Sequence, residues 1–213
     1  MEGFPLAESI LKPLIWLVPI ALVLGFLRSP LVKGWFGEKL VSKKASLRLP
    51  QDEYFAYDNV TVQDAKGTTQ IDHIFVSRFG LFIVETKNMG GWIFGNANQP
   101  QWTQVIYKQK NKFQNPIRQN YRHLKAIESL TQTPISKLHS VVVFTGDSTF
   151  KTDVPPSVCT LSSFVDYIRS FKLPMLTDNE ISEIRRKIEN GRLTPSYATH
   201  SAHVRQLRDK KSR

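Results

Sequence analysis

The stretch Gln70-Ile71-Asp72-His73-Ile74-Phe75-Val76-Ser77-Arg78-Phe79-Gly80-Leu81-Phe82-Ile83-Val84-Glu85-Thr86-Lys87 decides the fold of this chain. Two runs of β-branched and aromatic residues flank Arg78-Phe79-Gly80, the pattern of a tight β-hairpin. Side chains alternate between faces along a strand, so Glu85 and Lys87 project to one side. A two-residue turn at Arg78-Phe79 sets Asp72 opposite Glu85, and a turn at Phe79-Gly80 sets it opposite Lys87. In either register the three share a face, with paired Cβ atoms about 5 Å apart. Only a slip by one residue separates them. Ile74, Val76, Leu81 and Ile83 complete that face, while Ile71, Phe75, Phe82 and Val84 form the other. A sheet apolar on both faces is covered on both, so three charges gather at one end of a buried strand pair. His73 points the opposite way and reads as a packed strand histidine.

Unpaired buried charge is costly, so the cluster needs a compensating partner. A divalent cation held by the two carboxylates, with Lys87 beside it, is one. Two carboxylates, a backbone carbonyl and waters suit Mg²⁺ or Mn²⁺. An ion pair from Lys87 to either acid is the purely structural alternative.

Working outward, residues 54–62 read as a strand before the turn Asp64-Ala65-Lys66-Gly67, and residues 37–47 as a short amphipathic helix. Residues 88–101, with glycines at 90, 91 and 95, read as a loop, and residues 102–107 as a short strand. Trp92 and Trp102 read as core or edge residues rather than stacking platforms. Asn115-Pro116 opens a helix with a capping side chain and a proline at its first position. Ile117, Tyr121, Leu124, Ile127 and Leu130 give that helix an apolar stripe. Residues 140–144 (SVVVF) form a central strand and residues 162–171 a helix. Thr177 and Glu180 make a capping box before Ile181, Ile184 and Ile188, with Gly191 closing the last helix. Strands and helices alternate around one sheet, an α/β arrangement.

Residues 13–27 contain no charge, and Ile10-Leu11 extend the apolar run past Lys12. The run predicts a single membrane-spanning helix over residues 10–27, with Lys12 snorkelling to the headgroups. Glu2 and Glu8 before the core, and Gly25-Phe26-Leu27-Arg28 after it, argue against a cleaved signal. The bases that follow place the N-terminus outside and the basic domain in the cytoplasm. The organisation expected is an anchor over 1–30, the domain that carries the charged hairpin over 34–173, and a helix with a basic tail over 174–213. Formal net charge is +11 and the pI about 9.8. A protein this basic attracts polyanions, whether nucleic acid or an anionic membrane surface. The single cysteine, Cys159, excludes an internal disulfide and reads as a small buried apolar residue.

The series Gln70-Ile71-Asp72-His73-Ile74, Gly80 to Asn88, Gly90-Gly91-Trp92-Ile93-Phe94-Gly95, Trp102, Asn115-Pro116-Ile117-Arg118-Gln119 and His123-Leu124 resembles the nuclease-related domain family of the PD-(D/E)xK nuclease superfamily. Gly37-Glu38 resembles that family's opening helix. The resemblance implies a restriction-endonuclease-like mixed central sheet flanked by helices, here preceded by the single transmembrane helix. It implies metal ligation by Asp72, Glu85 and the Thr86 carbonyl, with Mg²⁺ or Mn²⁺ as cofactor. Lys87 would orient the attacking water or stabilise charge on the phosphate. Glu38 would be an accessory acid, while Gln119, His123 and Arg118 would meet the substrate. The activity implied is hydrolysis of phosphodiester bonds in nucleic acid, DNA foremost. A catalytically silent nucleic-acid-binding or scaffold module on the same fold is the alternative.

Overall fold

Strand pairing begins from the turn that Gly80 permits. The computed structural model describes residues 5–27, 29–65 and 67–193, with side chains described from Trp16 onward. Gly80 has φ +119°, and a Cβ there would lie 2.7 Å from both the Lys137 carbonyl and the His139 ring. Its hairpin joins β2 (Gly67–Ser77) to β3 (Gly80–Lys87), with Ser77 paired to Gly80 around Arg78-Phe79. This is the first of the two registers the sequence allows.

β1 (Phe55–Asp64) pairs antiparallel with β2. On the other side, β7 (Leu138–Phe144) runs parallel to β3, and β9 (Val158–Thr160) parallel to β7. The order β1-β2-β3-β7-β9 makes a mixed five-stranded sheet. The two hydrophobic layers expected from alternation are present. On one face α3 (Pro116–Thr131) and α5 (Asp178–Gly191) cover Ile74, Val76, Leu81 and Ile83. On the other, α2 (Pro30–Arg48) and α4 (Phe164–Ser170) cover Phe75, Phe82, Val84 and the buried Cys159.

Several expectations change. Ile71 lies in the α3-facing layer with Ile74, not with Phe75. The alternation therefore shifts phase between Ile71 and Ile74, at Asp72-His73. Opposite this break in β1 stands Asn59, held at φ 54°, a conformation that side-chain-bearing residues rarely adopt. The helix expected over 37–47 is the longer α2, capped by the Ser29 side chain with Pro30 in its first turn. On α3, Leu124 and Ile127 are buried but Tyr121 is exposed; the buried line runs instead through Asn120, His123, Leu124, Ile127 and Thr131. Asn115 caps α3 as expected, accepting from Ile117 N at 2.9 Å. The capping box of α5 is present, and the helix ends at Gly191, with Arg192 as the residue that follows. A Cβ at Gly191 would come within 2.3 Å of Leu130, so close packing explains the glycine. Ile181, Ile184 and Ile188 of α5 pack into the same core as Ile74, Val76, Leu81 and Ile83.

The largest correction is a second sheet, where the sequence led to only one. β4 (Gly91–Phe94) lies inside the expected loop, and β5 (Gln101–Ile106) turns at Tyr107-Lys108 into β6 (Gln109–Gln114). β8 (Ser148–Phe150) joins parallel to β4, giving the order β6-β5-β4-β8. Glycines at 90, 91 and 95 mask β4 as a loop. β6 is almost wholly exposed and polar, so it has no apolar alternation to detect. This sheet is mounted on the first through Ile93 and Trp102, which pack against Val142 and Phe144.

At the N-terminus α1 covers Pro5–Leu27. Among the described residues no single helix is long and apolar enough to cross a membrane. Trp16–Leu27 and Leu31–Arg48 meet those criteria only as a pair bent by 53°. The single transmembrane helix expected from sequence is thus not found in one element. The basic tail lies outside the described residues.

Candidate active site

β2 and β3 part company where the charges sit. Their last backbone pair is His73 with Val84, and one step on in that register Asp72 faces Glu85. There the Thr86 N–H donates to Asp72 Oδ2 at 2.7 Å. Asp72 therefore turns its carboxylate into the gap between the strands, at the point where the alternation breaks. A strand residue directs its N–H and C=O to the same edge, so the Thr86 carbonyl also faces this gap.

Glu85 is buried and both its oxygens are engaged. Lys87 Nζ donates to Oε1 at 2.6 Å, and His123 Nε2 lies 3.0 Å from Oε2. Lys87 Nζ donates also to Gln119 Oε1 at 2.9 Å. Gln119 and His123 are four residues apart on α3 and so reach the same spot. Burial alone would raise the Glu85 pKa, but the Lys87 ammonium and His123 together bring it below the usual value. Asp72 behaves in the opposite way: lost hydration, then the charges of Glu85 and Glu38, push its pKa well above its usual value. The surroundings thus favour the charged form of Glu85 and disfavour that of Asp72.

Glu38 projects from the middle of α2, not from a first turn, so the helix dipole does not account for it. Burial raises its pKa; His73 opposes that, and Glu85 and Asp58 add to it. His73 is fully buried on the α2 side, with Nδ1 2.8 Å from Asp58 Oδ1. Asp58 also accepts from Ser42 at 2.7 Å. Arg118 is not brought to the cluster; its guanidinium donates to the Asn98 carbonyl at 2.6 Å. His123 is buried, with Nδ1 3.0 Å from Thr69 Oγ1, so it braces Glu85 rather than presenting itself to solvent.

Two further residues emerge only here. Thr69 sets the hydrogen-bond partner of His123 and thereby its orientation. Asn120, fully buried, donates through Nδ2 to the Ile83 carbonyl and Ser140 Oγ, both at 2.8 Å, and ties α3 to β3 and β7. Its position four residues before Leu124, on the buried line of the helix, was the one sequence signal for it.

Among the described residues no group of three His, Cys, Asp or Glu side chains forms a preformed metal cage. Mg²⁺ does not require one, because it binds through one or two carboxylates and keeps several waters. Asp72, one lone pair of Glu85 and the Thr86 carbonyl fit that pattern. A cation in the gap would reverse the effect that raises the Asp72 pKa.

The nuclease-related domain (NERD) family matches residues 33–145 of the chain. An uncharacterized protein of Bacillus anthracis is 36% identical over 185 residues, spanning 85% of this chain and 86% of that protein. No solved structure matches. The chain belongs to the nuclease-related domain family.

Proposed function

We propose that this protein is a metal-dependent nuclease that hydrolyses phosphodiester bonds of nucleic acid, with DNA the first substrate to test. The observation that carries the reading is the convergence of Asp72, Glu85, Lys87 and Gln119 where β2 and β3 separate. Asp72, Glu85 and the Thr86 carbonyl would hold Mg²⁺ or Mn²⁺, which when bound lowers the pKa of water and offsets phosphate charge. Lys87, fixed by Glu85 and Gln119, directs its remaining hydrogen toward the reacting phosphate or the incoming water. Gln119 keeps that ammonium in place, and Glu38, half-buried beside Asp72, is available to accept the water's proton. Water adds to phosphorus, the P–O bond breaks, and a proton returns to the departing oxygen.

Incubating the full chain with labelled DNA and RNA, with Mg²⁺, with Mn²⁺ and with chelator, tests the reading. Metal-dependent cleavage that disappears in folded Asp72→Asn supports it. Inertness across all metals and substrates replaces it with the silent binding module.

The same reading attaches the chain to a membrane through residues 10–27, with the N-terminus outside and the nuclease domain cytoplasmic. Support comes from Trp16, Leu17, Leu22 and Phe26, which are large, apolar and exposed along α1. Resistance of the full chain to alkaline extraction from membranes is the expected result, and release into the soluble fraction removes the anchor.

A further inference from the structure

The second sheet has an inner face and an outer one, and they differ sharply. The inner face carries Ile93, Trp102 and Phe113 and is packed away. The outer face is defined by the cross-strand row Thr149, Trp92, Val105, Lys110, which the pairings of β8, β4, β5 and β6 set side by side. Lys112 is on the same face, paired with Thr103. Trp92 is 53% exposed, and Lys151 Nζ stands 4.7 Å from its ring centroid. At the β5–β6 tip Tyr107 is 97% exposed with φ 52°, next to Lys108.

Charge on this unit is one-sided. No Asp or Glu occurs between Glu85 and Glu128 in sequence, and only Asp147 and Asp153 flank β8. Lys108, Lys110, Lys112 and Lys151 are all exposed and have no carboxylate partner among the described residues. The location also matters: Gly91 follows Lys87 by four residues, so β4 begins within about 14 Å of the candidate catalytic lysine. An exposed indole set among lysines on an open sheet matches what single-stranded nucleic acid needs. Every base has a π-face to stack on the ring, and the phosphates on either side meet the ammonium groups.

We propose that the outer face of β4, β5, β6 and β8 is a binding platform for single-stranded nucleic acid, with a base stacked on Trp92 and backbone phosphates on Lys110 and Lys112. It rests on the nuclease reading only for the nature of the polymer, and it assigns to Trp92 a role separate from the chemistry. A duplex keeps its bases stacked on one another and offers the indole no free π-face, so the platform selects unpaired strands. Both tryptophans look alike in sequence; the fold buries Trp102 and presents Trp92.

The test measures fluorescence anisotropy of labelled single-stranded and duplex oligonucleotides with the full chain in chelator, where no cleavage occurs. Trp92→Ala weakens single-strand binding about tenfold, and Trp92→Phe recovers most of it. Lys110→Glu with Lys112→Glu weakens it at least as much and lowers the salt slope by about 1.4, the release expected from two phosphates. Charge reversal at the exposed Lys172 and Arg186, away from the sheet, changes binding far less. Full single-strand affinity in both Trp92→Ala and the lysine variant overturns the proposal. So does equal weakening of duplex and single-strand binding, or loss of anionic-vesicle binding with oligonucleotide binding intact. The two readings fail separately: binding in chelator tests the platform, whereas cleavage with Mg²⁺ or Mn²⁺ tests the nuclease reading, and either result stands whatever the other shows.

Discussion

The five-stranded and four-stranded sheets use their residues in contrary ways. The first is covered on both faces, and the charges it keeps are held against one another: Lys87 on Glu85, His123 on Glu85, Thr86 N–H on Asp72. The second is covered on one face only, and its lysines point to solvent without carboxylate partners among the described residues. Burial turns a charge into a costly object that must be positioned, whereas exposure leaves it free to recruit a polyanion. On the proposed readings, the contrast divides a place for chemistry from a place for contact.

The strongest way to break that contrast is to exchange a lysine in each sheet. Lys87→Met should reduce cleavage by about a thousandfold. It should also cost about 3–5 kcal/mol of stability, because Glu85 is left buried with its cation removed. Lys110→Met should change stability by less than about 0.5 kcal/mol. Calorimetry and a cleavage assay on both variants decide the matter, and a similar loss of stability in both would erase the distinction.

Next come the two tryptophans. Trp102, fully buried against Phe113 and Phe144, should cost about 3–5 kcal/mol on replacement by alanine. Trp92→Ala should cost about half as much, since half its surface is already in water. Denaturant unfolding measures both.

A smaller and opposite effect is expected at Asp72. Its folded pKa is raised, so the native state holds a proton to higher pH than the unfolded chain does, and stability falls as pH rises above about 3.8. In metal-free protein Asp72→Asn should therefore raise the melting temperature at neutral pH, by about 2–4 °C for each kcal/mol relieved. The gain should vanish in acid, where the wild-type carboxyl is neutral too. A lower melting temperature at neutral pH would show that the surroundings of Asp72 favour its charged form.

The smallest effect lies outside both sheets. Glu180 is lowered to about 2 by Lys137 and the Thr177 cap, so its contribution is present above about 4.5 and fades as pH falls toward 2. Glu180→Gln should slightly lower the melting temperature at pH 7 and leave it unchanged near pH 2. A difference that persists at the lower pH would detach the effect from ionisation.

Much of the candidate site was legible because it depends on local rules. Hairpin register follows from turn length, and the spacing of Glu85 and Lys87 follows from the pleat. The Asn115 cap and the Thr177–Glu180 box were equally readable, since both are contacts over two or three residues. The second sheet was not legible, because β4 is short and glycine-flanked and β6 is polar apart from Phe113; their partners are chosen by Ile93 and Trp102 docking on a different sheet. Nor could alternation foresee that Ile71 changes layers, which follows from Asn59 adopting φ 54° on the neighbouring strand.

By itself the sequence determined that a hairpin would carry two acids and a lysine at one end, and that Gln119 and His123 would share one face of a capped helix. Those facts arise from chain geometry within a few residues. Only the tertiary structure decided that His123 braces Glu85, that Asp72 lies in a gap between parting strands, and that one tryptophan is core while the other meets solvent. These outcomes depend on which distant surfaces pack together, and packing is a property of the whole assembled core, not of any segment read alone.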